Sequence, residues 1–199
     1  MKIKVILTDV GGVLVRTENT LLRRAWEDKL DLKPRTLTRE IQKIQPAKEA
    51  TIGLVSAENI WQNISQKYSL DPRELQLLKH DYFAGEKLNQ KFYEYLEKIH
   101  KSYKIVIFSN AWDDGREVYT KKFHLDKITD QMIISAEEGM RKPHKKFYQQ
   151  ALKKLGVLPE EILYLDDRME NIKVGKAIGF NSILFNYTGH VIDQINEIL

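Results

Sequence analysis

The sequence predicts an α/β protein: a doubly wound, parallel, five-stranded sheet interrupted by one helical insertion. Three observations predict it. Short apolar, partly β-branched runs, typical of strands buried on both faces, alternate with segments of helical periodicity over the second half of the chain. A long stretch near the start, roughly residues 17–100, carries helical patterns throughout. Three of the apolar runs also stop at a carboxylate or a hydroxyl, the place where open α/β sheets gather ligand-binding groups.

The elements follow in chain order. Residues 3–7 read as the first strand, which gives way to Asp9-Val10-Gly11-Gly12; the two glycines permit a sharp turn and a close backbone approach to a bound group. Leu21, Leu22, Ala25, Trp26 and Leu30 recur at helical spacing. A second helix falls near residues 38–45 and is expected to stop at Pro46, which cannot continue a helix interior. Ser56 is a candidate cap for a third, with Ile60, Trp61, Ile64 and Tyr68 on one side. Asp71-Pro72-Arg73-Glu74 supplies a cap, a proline at the first helical position and an acid at the third. Phe92, Tyr95, Leu96 and Ile99 mark a further helix leading to a strand at residues 104–108. Strands at Gln131–Ile134, 161–165 and 181–185 complete the sheet, while helices over 144–155 and Met169–Ile178 end at Gly156 and Gly179. Residues 1–15 and 85–199 then form the α/β core, and residues 16–84 an all-helical insertion. Aromatic residues at helical spacing, among them Trp26, Trp61, Tyr82 and Phe83, read first as insertion core and second as a pocket lining.

Composition sets outer bounds. At 199 residues the chain can hold one ordinary domain plus a modest insertion. A hydrophobic content of 42% suffices for a core, and 30% charged residues argue against a membrane protein. No apolar run approaches the ~20 residues needed to span a bilayer, and the first strand is too short for a signal-peptide core. With Cys 0, disulfides, thiol catalysis and thiolate metal sites are excluded, which leaves oxygen or histidine for any metal and fits a cytoplasmic protein. The net charge of +4 is mild. The lysine pairs Lys121-Lys122, Lys145-Lys146 and Lys153-Lys154 read as solvated helix faces, and no zinc-finger spacing or basic–aromatic stripe points to nucleic acid.

Four segments carry the chemistry. Asp9 follows the first strand, and Ser109-Asn110 the strand at 104–108. Lys142-Pro143 stands after Glu138-Gly139 and before a helix; Asp166-Asp167 ends another strand, with Asn171 one helical turn further on. In this form and order the segments resemble the haloacid dehalogenase-like (HAD) hydrolase superfamily over essentially the whole chain, in the subgroup with a small helical cap between the first and second motifs. The resemblance implies a Rossmann-like core, a cap at 16–84, and a magnesium-dependent phosphatase acting on a small phosphomonoester such as a sugar phosphate.

By the same resemblance Asp9 is the nucleophile, forming an aspartyl-phosphate. Ser109 and Asn110 donate a hydroxyl and a backbone N–H to phosphoryl oxygens, and Lys142 offsets the developing charge. Asp9, the Gly11 backbone carbonyl, Asp166 and Asp167 hold Mg2+, with Asn171 orienting a metal-bound water. The charge balance agrees, because three carboxylates beside a phosphate repel one another and the substrate unless a divalent cation lies between them. Each residue also has a plainer reading: Asp9 as a turn aspartate, Asp166-Asp167 as a helix cap, Lys142 as a surface lysine, His144 as a turn and cap residue.

Gly11 departs from the pattern. The family's phosphatases carry there a second aspartate that protonates the leaving alkoxide and later activates water, help worth roughly 10²–10⁴-fold, or about 3–5 kcal/mol. Three explanations are open: a substrate with a good leaving group, such as a sugar-1-phosphate or aryl phosphate; a substitute from the insertion, with Arg16 and Glu18 nearest; or a phosphate-binding or regulatory protein of little turnover. Capped relatives with glycine here occur among sugar-phosphate phosphatases, which favours the first. A haloacid dehalogenase would carry an aromatic at Gly11 and need no metal, and a phosphomutase would need the missing acid–base group.

Overall fold

The computed structural model describes residues 2–187 and 190–199. Among these residues are seven strands: β1 (Val5–Thr8), β2 (Val15–Thr17), β3 (Glu86–Leu88), β4 (Lys104–Ser109), β5 (Gln131–Ile134), β6 (Ile162–Asp166) and β7 (Asn181–Leu184). Five of them make one sheet in the order β5-β4-β1-β6-β7, every neighbouring pair parallel. The five expected strands all form, with ends shifted by a residue or two. β1 lies in the centre, and its register sets Thr8 level with Ile107 of β4 and Leu165 of β6.

Alternation along the strands sorts the core into two layers. Ile6, Ile105, Ile107, Ile134, Leu163, Leu165 and Ile183 face one side, where they meet Phe92 and Leu96 of α6 and Ile195 of α11. Val5, Leu7, Val106, Phe108, Ile133, Ile162 and Tyr164 face the other, against Phe147, Tyr148 and Ala151 of α9 and Ile172 of α10. Here α6 is Gln90–Ile99, α9 Lys145–Leu155, α10 Met169–Ile178 and α11 Val191–Ile198. Full burial of each large aliphatic side chain contributes about 1.5–3 kcal/mol, so both faces must be covered. Helix α10 comes close to β6 because position 175 is glycine: a Cβ there would stand 2.7 Å from the Tyr164 ring.

The insertion folds around its own apolar cluster. Helices α1 (Leu21–Lys29), α2 (Thr36–Lys43), α3 (Gln45–Ala50), α4 (Ala57–Tyr68) and α5 (Pro72–Ala84) bury Trp26, Leu37, Ile41, Ile60, Trp61, Ile64, Leu78 and Tyr82 together. The aromatics thus belong to a core, with Phe83 partly buried against it. The α5 start is as expected: Asp71 accepts from the backbone N–H groups of Arg73 and Glu74, and Glu74 accepts from Asp71 N–H.

Four expectations need correction. The stretch 17–100 is not helical throughout, because Glu86–Leu88 pairs antiparallel with Val15–Thr17 where the chain leaves and rejoins the core. Three-residue strands are too short for alternation to reveal, and Glu-Lys-Leu has no intrinsic strand signal. Pro46 starts a helix instead of ending one: it occupies the first turn of α3, where a missing N–H costs nothing. In α1 the buried residues are Arg23, Trp26 and Glu27, while Leu21 and Leu22 are exposed. Arg23 donates to the Tyr82 carbonyl and lies over the Tyr82 ring, and Glu27 accepts from Leu37 N–H, so both buried charges have local work. Finally, Ser56 makes no side-chain cap on α4; the Ala57 N–H donates 2.8 Å to Asp113 Oδ1, a carboxylate from the core. Among the described residues no helix is long and apolar enough to cross a membrane.

Candidate active site

The central position of β1 brings three strand ends together. Asp9 lies one residue past Thr8, Asp166 one past Leu165 and Ser109 two past Ile107, so the register alone places them side by side at the carboxyl edge. Asp9 N–H donates 2.9 Å to the Leu165 carbonyl, carrying the β1–β6 ladder one step beyond the strand, and Asp9 Oδ1 accepts from Val10 N–H at 2.7 Å. The chain then turns through Gly12, whose φ of +77° lies in the left-handed region. Space forbids a side chain there as well: a Cβ on Gly12 would stand 2.0 Å from Asp167 Oδ2.

Lys142 reaches this edge from the loop before α9 and is only 2% exposed. Its Nζ lies 2.9 Å from Asp9 Oδ2 and 2.7 Å from Asp166 Oδ2, with the Phe108 ring centroid 5.4 Å away. The Asn110 side chain fixes the loop from both sides, donating to the Lys142 carbonyl (3.0 Å) and accepting from Lys142 N–H (2.8 Å). Lys142 is therefore a buried, doubly paired cation, not a surface lysine.

The carboxylates sit in different environments. Asp166 accepts four hydrogen bonds, from Lys142 Nζ and Tyr164 OH on Oδ2 and from Arg168 N–H and Asn171 Nδ2 on Oδ1. Burial pushes its pKa up, but Lys142, Tyr164 and Asn171 outweigh this and hold it below the usual range. Asp9 is 7% exposed. Burial, reinforced by the Asp166 charge, raises its pKa to about 6 in spite of Lys142. Asp167 is exposed, and its pKa is raised by partial desolvation and by Asp166.

The arrangement fits a hard divalent cation. Carboxylate oxygens of Asp9, Asp166 and Asp167 all lie within 4.8 Å of one another. Asn171, 1% exposed, has its Oδ1 without a hydrogen-bond partner among the described residues, a buried acceptor left over beside this cluster. Gly11 is exposed, and a Cβ added to it would meet nothing within 4 Å among the described residues. Arg16 and Glu18 are paired with each other at 2.7 Å, and the Arg16 guanidinium lies over the Tyr187 ring.

Sequence reading missed two hydroxyls. Tyr164 stands two residues before Asp166 on one strand, hence on the same face; a tyrosine in an otherwise aliphatic run was the available signal. Tyr119, whose OH lies 2.9 Å from Ser109 Oγ, belongs to α7 (Gly115–Lys121) and carries no local signal of that contact.

Residues 3–179 match the family model described as haloacid dehalogenase-like hydrolase. Among curated proteins, pyrophosphatase PpaX of Bacillus cereus is 25% identical over 191 residues, covering 94% of this chain and 85% of that protein. The D-ribitol-5-phosphate phosphatase of Bacteroides thetaiotaomicron is 28% identical over 95 residues, covering 45% of this chain and 46% of that protein. Over the first three curated relatives the chain spans only 28%, 46% and 28% of their length. Among solved structures, a HAD family enzyme of Bacteroides thetaiotaomicron in complex with magnesium and inorganic phosphate superimposes with a TM-score of 0.79 at 18% identity, covering 95% of this chain and 98% of that one.

Proposed function

Because the chain belongs to the haloacid dehalogenase-like hydrolases, we propose that it is a magnesium-dependent phosphatase hydrolysing a small phosphomonoester, a sugar phosphate or similar, through an aspartyl-phosphate on Asp9. The observation that carries this reading is the meeting of a buried carboxylate, Asp9, with a buried cation, Lys142, beside the Asp166–Asp167 pair at one sheet edge. The phosphatases among its relatives, which act on ribitol phosphate and glyceraldehyde 3-phosphate, support the substrate class.

In this mechanism the phosphoryl oxygens rest on Ser109 Oγ and the Asn110 backbone N–H, with Lys142 beside them. Asp9 attacks phosphorus, the alkoxide departs, and water then cleaves the aspartyl-phosphate to release phosphate and restore the carboxylate. Asp9, Asp167 and the Gly11 carbonyl would hold Mg2+; Asp166, whose oxygens are already engaged by four donors, and Asn171 would address its water. When bound, the ion neutralises the clustered carboxylates and polarises the phosphoryl group.

With Gly11 exposed and nothing above it, no side chain at that position protonates the leaving oxygen, so substrates with good leaving groups are favoured. Halide displacement is disfavoured by the glycine and by the Asp166–Asp167 pair. A cytoplasmic protein with a small-molecule substrate, binding neither nucleic acid nor membrane, completes the proposal. The test is phosphate release from p-nitrophenyl phosphate and a panel of sugar phosphates, with magnesium and with chelator. Release that needs the metal is expected, sugar-1-phosphates and the aryl ester leading. No release from any ester would favour a phosphate-binding relative that lost turnover at Gly11.

A further inference from the structure

Ser109 is 1% exposed, and Tyr119 is the one side chain hydrogen-bonded to its Oγ among the described residues. A serine hydroxyl has a single hydrogen and two lone pairs. For that hydrogen to point at a phosphoryl oxygen, Tyr119 must be the donor in the 2.9 Å contact. Tyr119 suits that role. Burial, and behind it the charge of Asp9, pushes its phenol well above the ordinary tyrosine range, so it keeps its proton.

The other groups of the site are fixed redundantly. Lys142 Nζ is shared by two carboxylates and Asp166 is held by four donors, whereas the Ser109 hydroxyl rotates freely unless one neighbour stops it. We propose that Tyr119 is a positioning residue for phosphoryl binding: its O–H donates to Ser109 Oγ and aims the serine hydrogen at the phosphoryl oxygen. The chain Tyr119 O–H to Ser109 O–H to phosphoryl oxygen is cooperative, each bond polarising the next. Tyr119 makes its side-chain hydrogen bond to Ser109 and acts through it, so it does not replace the proton donor missing at Gly11. This inference rests on the reading of Ser109 as a phosphate-binding group.

A double-mutant cycle tests it: wild type, Tyr119→Phe, Ser109→Ala and the double variant. Each is measured for kcat and KM on p-nitrophenyl phosphate, for orthophosphate affinity in the presence of Mg2+, and for melting temperature. Tyr119→Phe is expected to lower kcat/KM and orthophosphate affinity by roughly 3- to 30-fold in the wild-type background. In the Ser109→Ala background the same substitution should change either by less than about twofold. A general packing effect would instead lower melting temperature and activity by the same factor in both backgrounds, and that result overturns the inference, as does no effect in wild type. A wild type that neither binds nor releases phosphate, or a Ser109→Ala variant indistinguishable from it, overturns the reading of the site and this inference with it.

Discussion

Asp9 carries the conflict on which the site depends. Lys142 supplies one positive charge to Asp9 and Asp166, with Asp167 alongside, so three carboxylates share one lysine. Burial is the first cause of the raised pKa of Asp9, about 6 against 3.8, and the Asp166 charge adds to it against the pull of Lys142. The sign follows: between about pH 4 and pH 6 the folded protein holds a proton that the unfolded chain has lost, so stability falls as pH rises through this window and the penalty is complete above it. Asp9→Asn should therefore abolish turnover yet stabilise the fold in chelator at pH 7.5 by on the order of 1–3 kcal/mol, read as a higher melting temperature, a gain that vanishes near pH 4. Thermal denaturation at both pH values checks it; a destabilised variant at pH 7.5 would contradict it. At Gly11 the open space above the Cα makes Gly11→Asp sterically free, so turnover of alkyl phosphates should rise, by up to roughly 10²–10⁴-fold if the new carboxyl reaches the leaving oxygen. No gain in a folded variant would mean that this backbone does not aim it. The carboxylates and Lys142 were legible in the sequence because strand ends and a Lys-Pro turn mark them. Tyr119 was not, because tertiary packing alone brings α7 to Ser109.

The element that ties chemistry to insertion is the loop after β4. Its Asn110 clamps Lys142, Ala111 N–H donates to Ser135 Oγ, Trp112 packs edge-on against Trp61 of α4, and Asp113 caps α4 at Ala57. Four consecutive residues thus run from the Lys142 loop to the helices of the insertion. Two cap deletions separate stability from function here. Asp71→Ala removes the cap of α5 within the insertion, and Asp113→Ala removes the cap of α4 that comes from the core. Each should cost about 1 kcal/mol, or roughly 2–4 °C in melting temperature. Asp113→Ala alone should also raise KM, since it loosens the insertion against the loop that follows Ser109 and carries Asn110; equal KM values for the two variants would sink that link. Asp71 was legible because its cap, proline and acid are adjacent in sequence. The Asp113 cap spans 56 residues and has no such signature, and β3 forms only because β2 lies opposite it.

The sheet order makes the molecule readable as a whole. Parallel strands with both faces covered must be apolar runs, so all five core strands announced themselves, and the carboxyl ends of β4, β1 and β6 collect the polar residues into one site. The insertion was harder to read because a small helical body of its own can bury an Arg23 or a Glu27 where a regular apolar stripe was expected. Mg2+ should stabilise the folded chain, by about 2.7 kcal/mol at a hundredfold excess over its dissociation constant. That gain should shrink in Asp167→Asn, where one side chain proposed to hold the ion has lost its charge; an undiminished shift there would remove Asp167 from the site.

The aspartyl-phosphate itself can be sought. With no acid–base group at Gly11, breakdown of the intermediate should be slow relative to its formation, so it should accumulate during turnover of an aryl phosphate. The measurement is acid quench of the wild type in mid-turnover with p-nitrophenyl phosphate and Mg2+, followed by peptide mass spectrometry. One phosphoryl group on the peptide containing Asp9, absent from Asp9→Asn and from protein quenched in chelator, is the expected result. Phosphate release that persists in Asp9→Asn, or a phosphoryl group found on any other residue, would contradict it.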